Sequence, residues 1–191
     1  MFKLLIGIGN PGRKYNNTRH NIGWEVIDAF NKIIESENVY KNKEYEISKG
    51  IYNYLEIYTM KPLTYVNNSG PPLKKVIKKL NLKIEEVLIF VDDINLPLGI
   101  TRLKTHGSAG GHNGLKSIFN EMQTQNIARL RLGVGDKEIY NHELISFVLG
   151  KFKKTEYKYV DEMIKESLLA LDNIFQNGIV KAMESTNRKS R

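Results

Sequence analysis

Short apolar or alternating runs take turns with amphipathic segments along most of the chain, a pattern typical of α/β proteins. Residues 3–6 and 87–91 are apolar runs of strand length. The second is continuously apolar, as in a central strand that is buried on both faces. Three further stretches predict strands by their aromatic, β-branched or alternating residues, namely 44–60, 100–104 and 128–135.

Two of these stretches allow a more detailed prediction. Gly50 and Asn53 punctuate residues 44–60, which indicates two strands there. Within residues 128–135, Arg129 and Arg131 alternate with apolar residues, so both arginines are predicted to point outward. Residues 94–99, which separate two predicted strands, are expected to form a loop.

Amphipathic periodicity predicts helices at residues 24–34, 71–80, 115–122 and 155–176. The second helix can be capped by Asn68 or Ser69, and Gly178 is a stop signal for the last. The inner side of the first helix is predicted to consist of Ile27, Phe30, Ile33 and Ile34. The inner side of the last helix is predicted to consist of Val160, Ile164, Leu168, Leu171 and Phe175.

The order of these elements predicts a single α/β domain over residues 1–191, with a twisted, mixed, largely parallel sheet flanked by helices. An apolar content of 41% and a charged content of 26% are values of a globular chain. No internal repeat or linker divides the sequence. The basic tail from about residue 185 is expected to fray.

Composition also limits the compartment and the chemistry. No apolar run approaches the length of about 18 residues that a membrane span needs, and the N-terminal run is too short for a signal peptide. Because the chain contains no cysteine, disulfides, cysteine-ligated zinc and a thiol nucleophile are excluded. These features predict a cytoplasmic protein that makes no membrane contact.

Positive charge suggests a polyanionic partner. Lys and Arg number 29 against 21 Asp and Glu, which gives a net charge of +8 and points to nucleic acid. The predicted helix 71–80 carries four lysines on one exposed side and no acid: Lys74, Lys75, Lys78 and Lys79. Such a face is either an RNA phosphate contact or a solvated surface, and the net charge alone could also serve solubility.

The loop between the first strand and the first helix, Gly7–Gly23, has more hydrogen-bonding capacity than a connection requires. Gly7, Gly9 and Gly12 satisfy the G-x-G-x-x-G pattern of dinucleotide-binding proteins. That pattern needs a helix to begin at once and an acidic residue to follow a second strand, and neither is found here. The dinucleotide interpretation, and with it an oxidoreductase, is therefore disfavoured.

Two later segments also carry chemistry. Asp92 and Asp93 follow the central strand, where paired acids could form a metal site, orient a base or simply be solvated turn residues. Residues 107–114 form a second glycine-rich loop before a helix. This loop lacks the Gly-Lys-Ser/Thr ending of a P-loop, so binding of a nucleoside triphosphate is not expected.

Five motifs occur in one order: GIGNPGxxYxxTRHNxG, KPxTYxNxSG, DDxxxPxG, GSAGGHNGLKSI and RLRLGVG. Together they resemble the bacterial-type peptidyl-tRNA hydrolases. The resemblance implies a monomeric cytoplasmic esterase with one α/β domain and with neither metal nor cofactor. It further implies hydrolysis of the ester that joins a peptide to the 3′ end of tRNA, which recycles tRNA from abandoned translation.

The resemblance also assigns catalytic roles. Ester hydrolysis near neutral pH needs an activated water, and histidine is the side chain suited to activate it. His20 matches the catalytic histidine of the family, and Asp92 matches the acid that orients it. Asn10 matches the residue that senses whether the amino acid is N-blocked, and His112 is expected to be structural or to support the site.

Substrate contacts follow from the same motifs. The residues that match substrate-binding or tRNA-binding positions are Tyr15, Asn21, Tyr65, Asn67, Asn113, Lys104 and Arg131. Asn67 and Asn113 are the amides near the scissile ester. Tyr15 and Tyr65 would form aromatic walls, although core packing is the alternative, more so for Tyr65. Lys104 and Arg131 would clamp the 5′-phosphate at the acceptor stem, near the 3′ CCA end.

One position departs from the family pattern, because Val66 stands where the family usually has methionine. His106 and His142 carry no signal. A non-catalytic RNA-binding protein on the same fold is the main alternative. The presence of His20, Asn10 and Asp92 together favours the enzyme.

Overall fold

A computed structural model describes residues 1–136 and 143–188 of the chain. Within these residues the strands form one seven-stranded sheet with the order β2-β3-β4-β1-β5-β7-β6. The strands are β1 (Leu4–Gly7), β2 (Glu37–Lys41), β3 (Tyr45–Tyr52), β4 (Leu55–Pro62), β5 (Val87–Pro97), β6 (Thr101–Lys104) and β7 (Ala128–Gly135).

The four central strands β4, β1, β5 and β7 are parallel. β3 is antiparallel to β4, β2 is antiparallel to β3, and β6 is antiparallel to β7. Five of the seven described strands therefore run in the same direction, which confirms the predicted mixed, largely parallel sheet. Because β1 and β5 are neighbours, the segments that follow them meet at one edge of the sheet, where ligands bind in open α/β folds.

Helices cover both faces of the sheet. They are α1 (Ile22–Ile33), α2 (Gly70–Lys79), α3 (Asn113–Met122), α4 (Leu144–Leu149), α5 (Tyr157–Asn177) and α6 (Ile179–Arg188). One core cluster joins α1, α5 and α6 to one face of the sheet. A second cluster joins α2 and α3 to the other face. The described part of the chain is thus an α/β fold with a core on each side of the sheet, as predicted.

Several boundaries differ from the sequence prediction. Gly50 lies inside β3, and the hairpin turns at Asn53 and Tyr54, which both have positive φ. β2 was not predicted because all of its residues are exposed, so it has no apolar face to detect. Residues 94–99 were expected to be a loop, but β5 continues to Pro97 through a register shift. Ile33 was expected to point inward and is 52% exposed.

The C-terminal tail also differs. It was expected to fray from about residue 185, whereas α6 continues to Arg188, and residues 189–191 lie outside the described part. Asn187 explains the order of this helix end, because its carboxamide bonds both the N–H and the carbonyl of Leu103 on β6, at 3.0 and 3.1 Å. The last turn of α6 is therefore tied to the sheet edge.

The cationic side of α2 is partly neutralised by acids from other elements. Lys74 binds Glu121 at 2.9 Å, and Lys75 binds Glu44 at 2.6 Å. Ser69 occupies the N-cap position of this helix, but its hydroxyl donates to the carbonyl of Val66 and caps no helical N–H. Acids that come from distant segments are invisible to a search along the helix itself, so the predicted face is less cationic than its sequence indicates.

Close backbone approach fixes the start of α1 against the sheet. A Cβ atom at Gly7 would lie 2.4 Å from the carbonyl oxygen of Gly23, and one at Gly23 would lie 2.5 Å from the carbonyl oxygen of Phe90. Glycine is therefore required at both positions. Gly12 is followed by a single 3₁₀ turn, Arg13–Tyr15, and α1 begins only at Ile22. The α-helix that a dinucleotide site needs therefore does not begin after Gly12, which argues further against such a site. None of the described helices combines the length and apolar character that a membrane crossing demands.

Candidate active site

His20 lies in a 3₁₀ turn, Arg19–Asn21, that joins the loop after β1 to α1. The turn sits against the end of the apolar part of β5, where Asp92 is 3% exposed. His20 Nδ1 lies 2.8 Å from Asp92 Oδ1. The predicted pairing of a histidine with the acid that orients it is thus present in the geometry.

A second histidine shares the same carboxylate oxygen. His112 Nε2 lies 2.9 Å from Asp92 Oδ1. His112 Nδ1 also accepts from the backbone N–H groups of Gly114 and Leu115, at 3.1 and 3.2 Å, and so caps α3. Because Nδ1 accepts two hydrogen bonds, it carries no proton, and Nε2 must carry the proton that His112 donates to Asp92. His112 therefore supports the site, as expected, and its tautomer is fixed by the helix it caps.

The protonation states follow from burial and these contacts. Burial raises the pKa of Asp92, but the charges of His20 and His112 and their hydrogen bonds lower it further, so its pKa lies well below the ordinary range. Burial lowers the pKa of His20, and the charge and hydrogen bond of Asp92 outweigh this and leave the pKa of His20 raised above its ordinary value. An ionised Asp92 accepts from His20 Nδ1–H, so the neutral imidazole presents an unprotonated Nε2, as a general base must.

Ligand atoms of His20, Asp92 and His112 lie within 4.8 Å of one another, a spacing that a metal ion could use. The hydrogen bonds argue against that use. A metal bound to His112 Nε2 would require the proton on Nδ1, where it would face two backbone N–H donors. The arrangement therefore fits a hydrogen-bonded base and acid better than a metal centre.

Asn10 is held from two sides. Its Oδ1 accepts from the backbone N–H of Val66 at 2.9 Å. Its own backbone N–H and carbonyl bond the carboxamide of Asn21, at 2.9 and 3.0 Å. Asn21 was predicted to contact the substrate, but it is buried and both ends of its carboxamide are occupied, so here it holds Asn10 in place. Val66 is buried too, and its contribution to Asn10 comes from the main chain.

A cavity of about 320 Å³ opens beside His20 and Asp92. Its lining includes the glycine-rich loop, residues 107–113, which contains the predicted Asn113, and two further predicted residues, Lys104 and Arg131. One wall was not predicted at all, since no element was expected around residues 143–150. This wall is α4, and its lining residues are Leu144, Ile145 and Val148.

Five predicted residues lie outside the lining of this cavity: Asn10, Asn21, Tyr15, Tyr65 and Asn67. Tyr15 and Tyr65 meet edge to face, with ring centroids 6.3 Å apart. Core packing was the alternative for both rings, more so for Tyr65, and for Tyr65 that alternative is wrong because the residue is 57% exposed. Asn67 is exposed in the 3₁₀ turn Val66–Asn68. Asn67 and Tyr65 therefore belong to a neighbouring surface, which Asn10 joins to the His20 turn.

The cationic residues converge on the β6–β7 edge. In the register of these strands Arg102 is opposite Arg131 and Lys104 is opposite Arg129, so all four side chains share one face. Arg131 binds the Asp93 carboxylate through Nε. Asp93 is thus held in an ion pair and is not a freely solvated turn residue.

Arg129 does not point outward as predicted. It is 2% exposed, and its guanidinium donates to the carbonyls of Gly107, Ser108 and Ile127. It shares a face with Arg131, as alternation required, but the glycine-rich loop covers that face at Arg129. The buried guanidinium anchors this loop. The sequence of β7 alone does not indicate that a loop from another part of the chain buries Arg129.

Comparison with known proteins finds one family that matches nearly the whole chain. Residues 4–191 match the family model described as peptidyl-tRNA hydrolase. The peptidyl-tRNA hydrolase of Sulfurihydrogenibium sp. is 38% identical over 188 residues, which cover 98% of each chain. That of Clostridium beijerinckii is 39% identical over 184 residues, 96% of this chain and 95% of the relative. The crystal structure of the Acinetobacter baumannii enzyme, at 30% identity, superposes with a TM-score of 0.91 over 97% of this chain and 94% of the other.

Proposed function

Because the chain belongs to the peptidyl-tRNA hydrolase family, we propose that it hydrolyses the ester between a peptide and the 3′ end of tRNA, with His20 as general base. The observation that carries this proposal is the hydrogen bond of 2.8 Å between His20 and a buried, ionised Asp92 beside the cavity. That bond directs the unprotonated Nε2 away from the acid, where it can reach a water.

The reaction follows from this arrangement. His20 Nε2 takes a proton from water as the oxygen attacks the ester carbonyl, and Asp92 stabilises the imidazolium that forms. The tetrahedral intermediate then collapses, the C–O bond to the ribose breaks, and the imidazolium returns the proton to the leaving 3′ oxygen. The products are a peptide carboxylic acid, which ionises, and free tRNA. No metal or cofactor is part of this scheme.

Three amides are proposed to bind the substrate. Asn113 lines the cavity with His20 and can steady either the developing oxyanion or the attacking water, whereas Asn67 lies further out. The bond from Val66 fixes the oxygen of Asn10, so its amide N–H₂ is the end left to donate to the carbonyl of an N-blocked aminoacyl group. Tyr15 and Tyr65 are proposed as walls for the terminal adenine or the peptide.

Lys104 and Arg131 are proposed to bind the 5′-phosphate of the acceptor stem. Asp93 contacts Arg131 through Nε, so this ion pair does not involve the terminal nitrogens, which suit a bidentate phosphate contact. Contacts to phosphate position the RNA without reading its sequence, so one enzyme can serve many tRNAs. A cytoplasmic monomer is proposed from the family alone, and α2 and the C-terminal tail remain candidates for further contact with the RNA backbone.

The decisive experiment measures release of free tRNA from N-acetyl-aminoacyl-tRNA and from unblocked aminoacyl-tRNA by the wild-type protein. Cleavage of the blocked substrate alone is expected, because only the blocked substrate offers Asn10 an amide carbonyl at that position. Binding of both RNAs without cleavage would instead support the non-catalytic RNA-binding alternative.

Replacing Lys104 by alanine is expected to weaken binding of tRNA and to flatten its salt dependence by about one phosphate contact, a change of about 0.9 in the slope of log K against log salt. The measurement is a binding titration with tRNA at several salt concentrations. Lys41→Ala is a matched control, because β2 forms the edge of the described sheet opposite β6. A slope in Lys104→Ala equal to that of the control would remove Lys104 from the phosphate contact.

A further inference from the structure

Arg19, the residue before His20, is 4% exposed although it carries a charge. Its guanidinium donates to both oxygens of Glu156, at 2.9 and 2.8 Å, and to the carbonyl of Lys151 at 2.7 Å. The rings of Phe147 and Phe152 pack against it, with centroids 4.3 and 5.1 Å from its central carbon. Burying an arginine is costly without such partners, so this is a specific ion pair, and the guanidinium makes its hydrogen bonds through the two terminal nitrogens. The buried Nε of Arg19 has no hydrogen-bond partner among the described residues.

Main-chain contacts also connect residues 18–19 to the segment that follows α4. The backbone N–H of Arg19 donates to the carbonyl of Gly150 at 3.0 Å, and Thr18 forms an isolated antiparallel bridge with Lys151. Glu156 also accepts from the backbone N–H of Lys153, so the turn that begins α5 holds the carboxylate in position. Residues 18–19 are therefore fastened to the segment 150–156 by both side chain and backbone.

This segment carries the unpredicted wall of the cavity. α4 ends at Leu149, immediately before Gly150, and none of its six residues, all of them described, is buried. The position of α4 therefore depends on few core contacts. One of them is the packing of the Phe147 ring against the guanidinium of Arg19. Arg19 directly precedes His20 in the chain, so one buried residue connects the general base with the α4 wall.

We propose that Arg19 is a positioning residue that, through Glu156 and the carbonyl of Lys151, holds His20 against Asp92 and seats α4 on the cavity. This inference rests on the proposed function and adds to it a residue that does not touch the substrate. Arg19 acts through the main chain of His20. Its removal lets the turn shift, and a displacement of about 1 Å at a catalytic group can cost up to about 100-fold in rate.

The test compares Arg19→Gln, Arg19→Lys, Glu156→Gln and the double variant Arg19→Gln/Glu156→Gln. Lys3→Gln is the control, because it removes an ion pair of 2.8 Å with Glu86 at the far end of β1. Arg19→Gln is expected to lower kcat by about 10-fold or more at temperatures where circular dichroism shows a folded protein. The double variant should be no slower than Arg19→Gln, since both changes break the same pair. Arg19→Lys should recover only part of the rate, because an ammonium cannot donate to three oxygens in the planar fork that guanidinium provides.

A second readout needs no substrate. NMR titration of the His20 ring in isotope-labelled protein should show its pKa falling in Arg19→Gln and Glu156→Gln as the ring leaves Asp92, and remaining unchanged in Lys3→Gln. If the folded variants keep the wild-type kcat and the wild-type titration of His20, Arg19 is merely structural and the inference fails. The proposed function fails separately, if the wild-type protein does not cleave the blocked substrate. Should Arg19→Gln not fold, Arg19→Lys and Glu156→Gln carry the same two measurements.

Discussion

Replacement of His20 by alanine is expected to lower kcat for hydrolysis of N-acetyl-aminoacyl-tRNA by about 10³-fold. The reason is that the described cavity offers no equivalent base. Asp92 is ionised but buried, with its pKa far below neutrality, so it is too weak a base to activate water. His112 cannot replace His20, because its Nδ1 caps α3 and its Nε2 carries the proton given to Asp92.

The measurement is single-turnover hydrolysis, together with the affinity for uncleaved tRNA. Affinity should change little, since the proposed phosphate contacts lie on β6 and β7. His106→Ala is the matched control: His106 is exposed, bonds only the neighbouring Thr105 among the described residues, and should leave both quantities at wild-type values. Retention of more than about one tenth of the wild-type kcat in His20→Ala would exclude His20 as the general base.

The central strand β5 and the long helix α5 were predictable from the sequence, whereas the exposed strand β2 and the short helix α4 were not. The continuous apolar run of β5 and the apolar stripe of α5 can be recognised in the sequence, because burial requires apolar residues at those positions. β2 is exposed throughout and is fixed by its pairing with β3, so it shows no periodicity. The ordered end of α6 depends on Asn187 reaching Leu103, a contact between residues far apart in the chain.

The same distinction applies to the site. His20, Asp92 and Asn10 were identified from motifs, and the geometry brings the first two together and ties the third to the His20 turn. Arg129 and Arg19 were missed as structural residues, although both lie in those motifs. Their partners are main-chain carbonyls and a distant glutamate, and a sequence pattern does not state which loop will cover a charged side chain.

His112 changes what is expected of Asp92→Asn. In triads where the acid accepts from one histidine only, an asparagine can turn its amide group toward the ring and favour the wrong tautomer, with losses of about 10⁴-fold. Here the same oxygen also faces the Nε2–H of His112, whose proton is fixed by the cap on α3. An amide N–H₂ in that place would oppose a second donor, so the asparagine is expected to keep its oxygen toward both histidines. His20 then retains its productive tautomer and loses only the negative charge.

The expected loss in Asp92→Asn is therefore smaller, about 100-fold in kcat at neutral pH and above. Since the carboxylate raises the pKa of His20 and burial lowers it, the neutral amide should leave the pKa of His20 below its wild-type value. His20 acts in its neutral form, so activity rises with pH through that pKa, and the acidic limb of the profile should move to lower pH in the variant. The difference in kcat between the wild-type protein and Asp92→Asn should therefore become smaller as pH falls. Profiles of kcat between about pH 5 and 9 would detect this.

The control for this argument is His112 itself. In Asp92→Asn/His112→Ala the N–H donor of His112 is absent, so the asparagine amide can turn toward His20. The loss of kcat, expressed as a free energy, should then exceed the sum of the losses in the two single variants. Near-UV circular dichroism would establish that each variant keeps its packing. If the double variant is only additive, His112 does not orient the side chain at position 92, and its contact with Asp92 serves the cap of α3 alone.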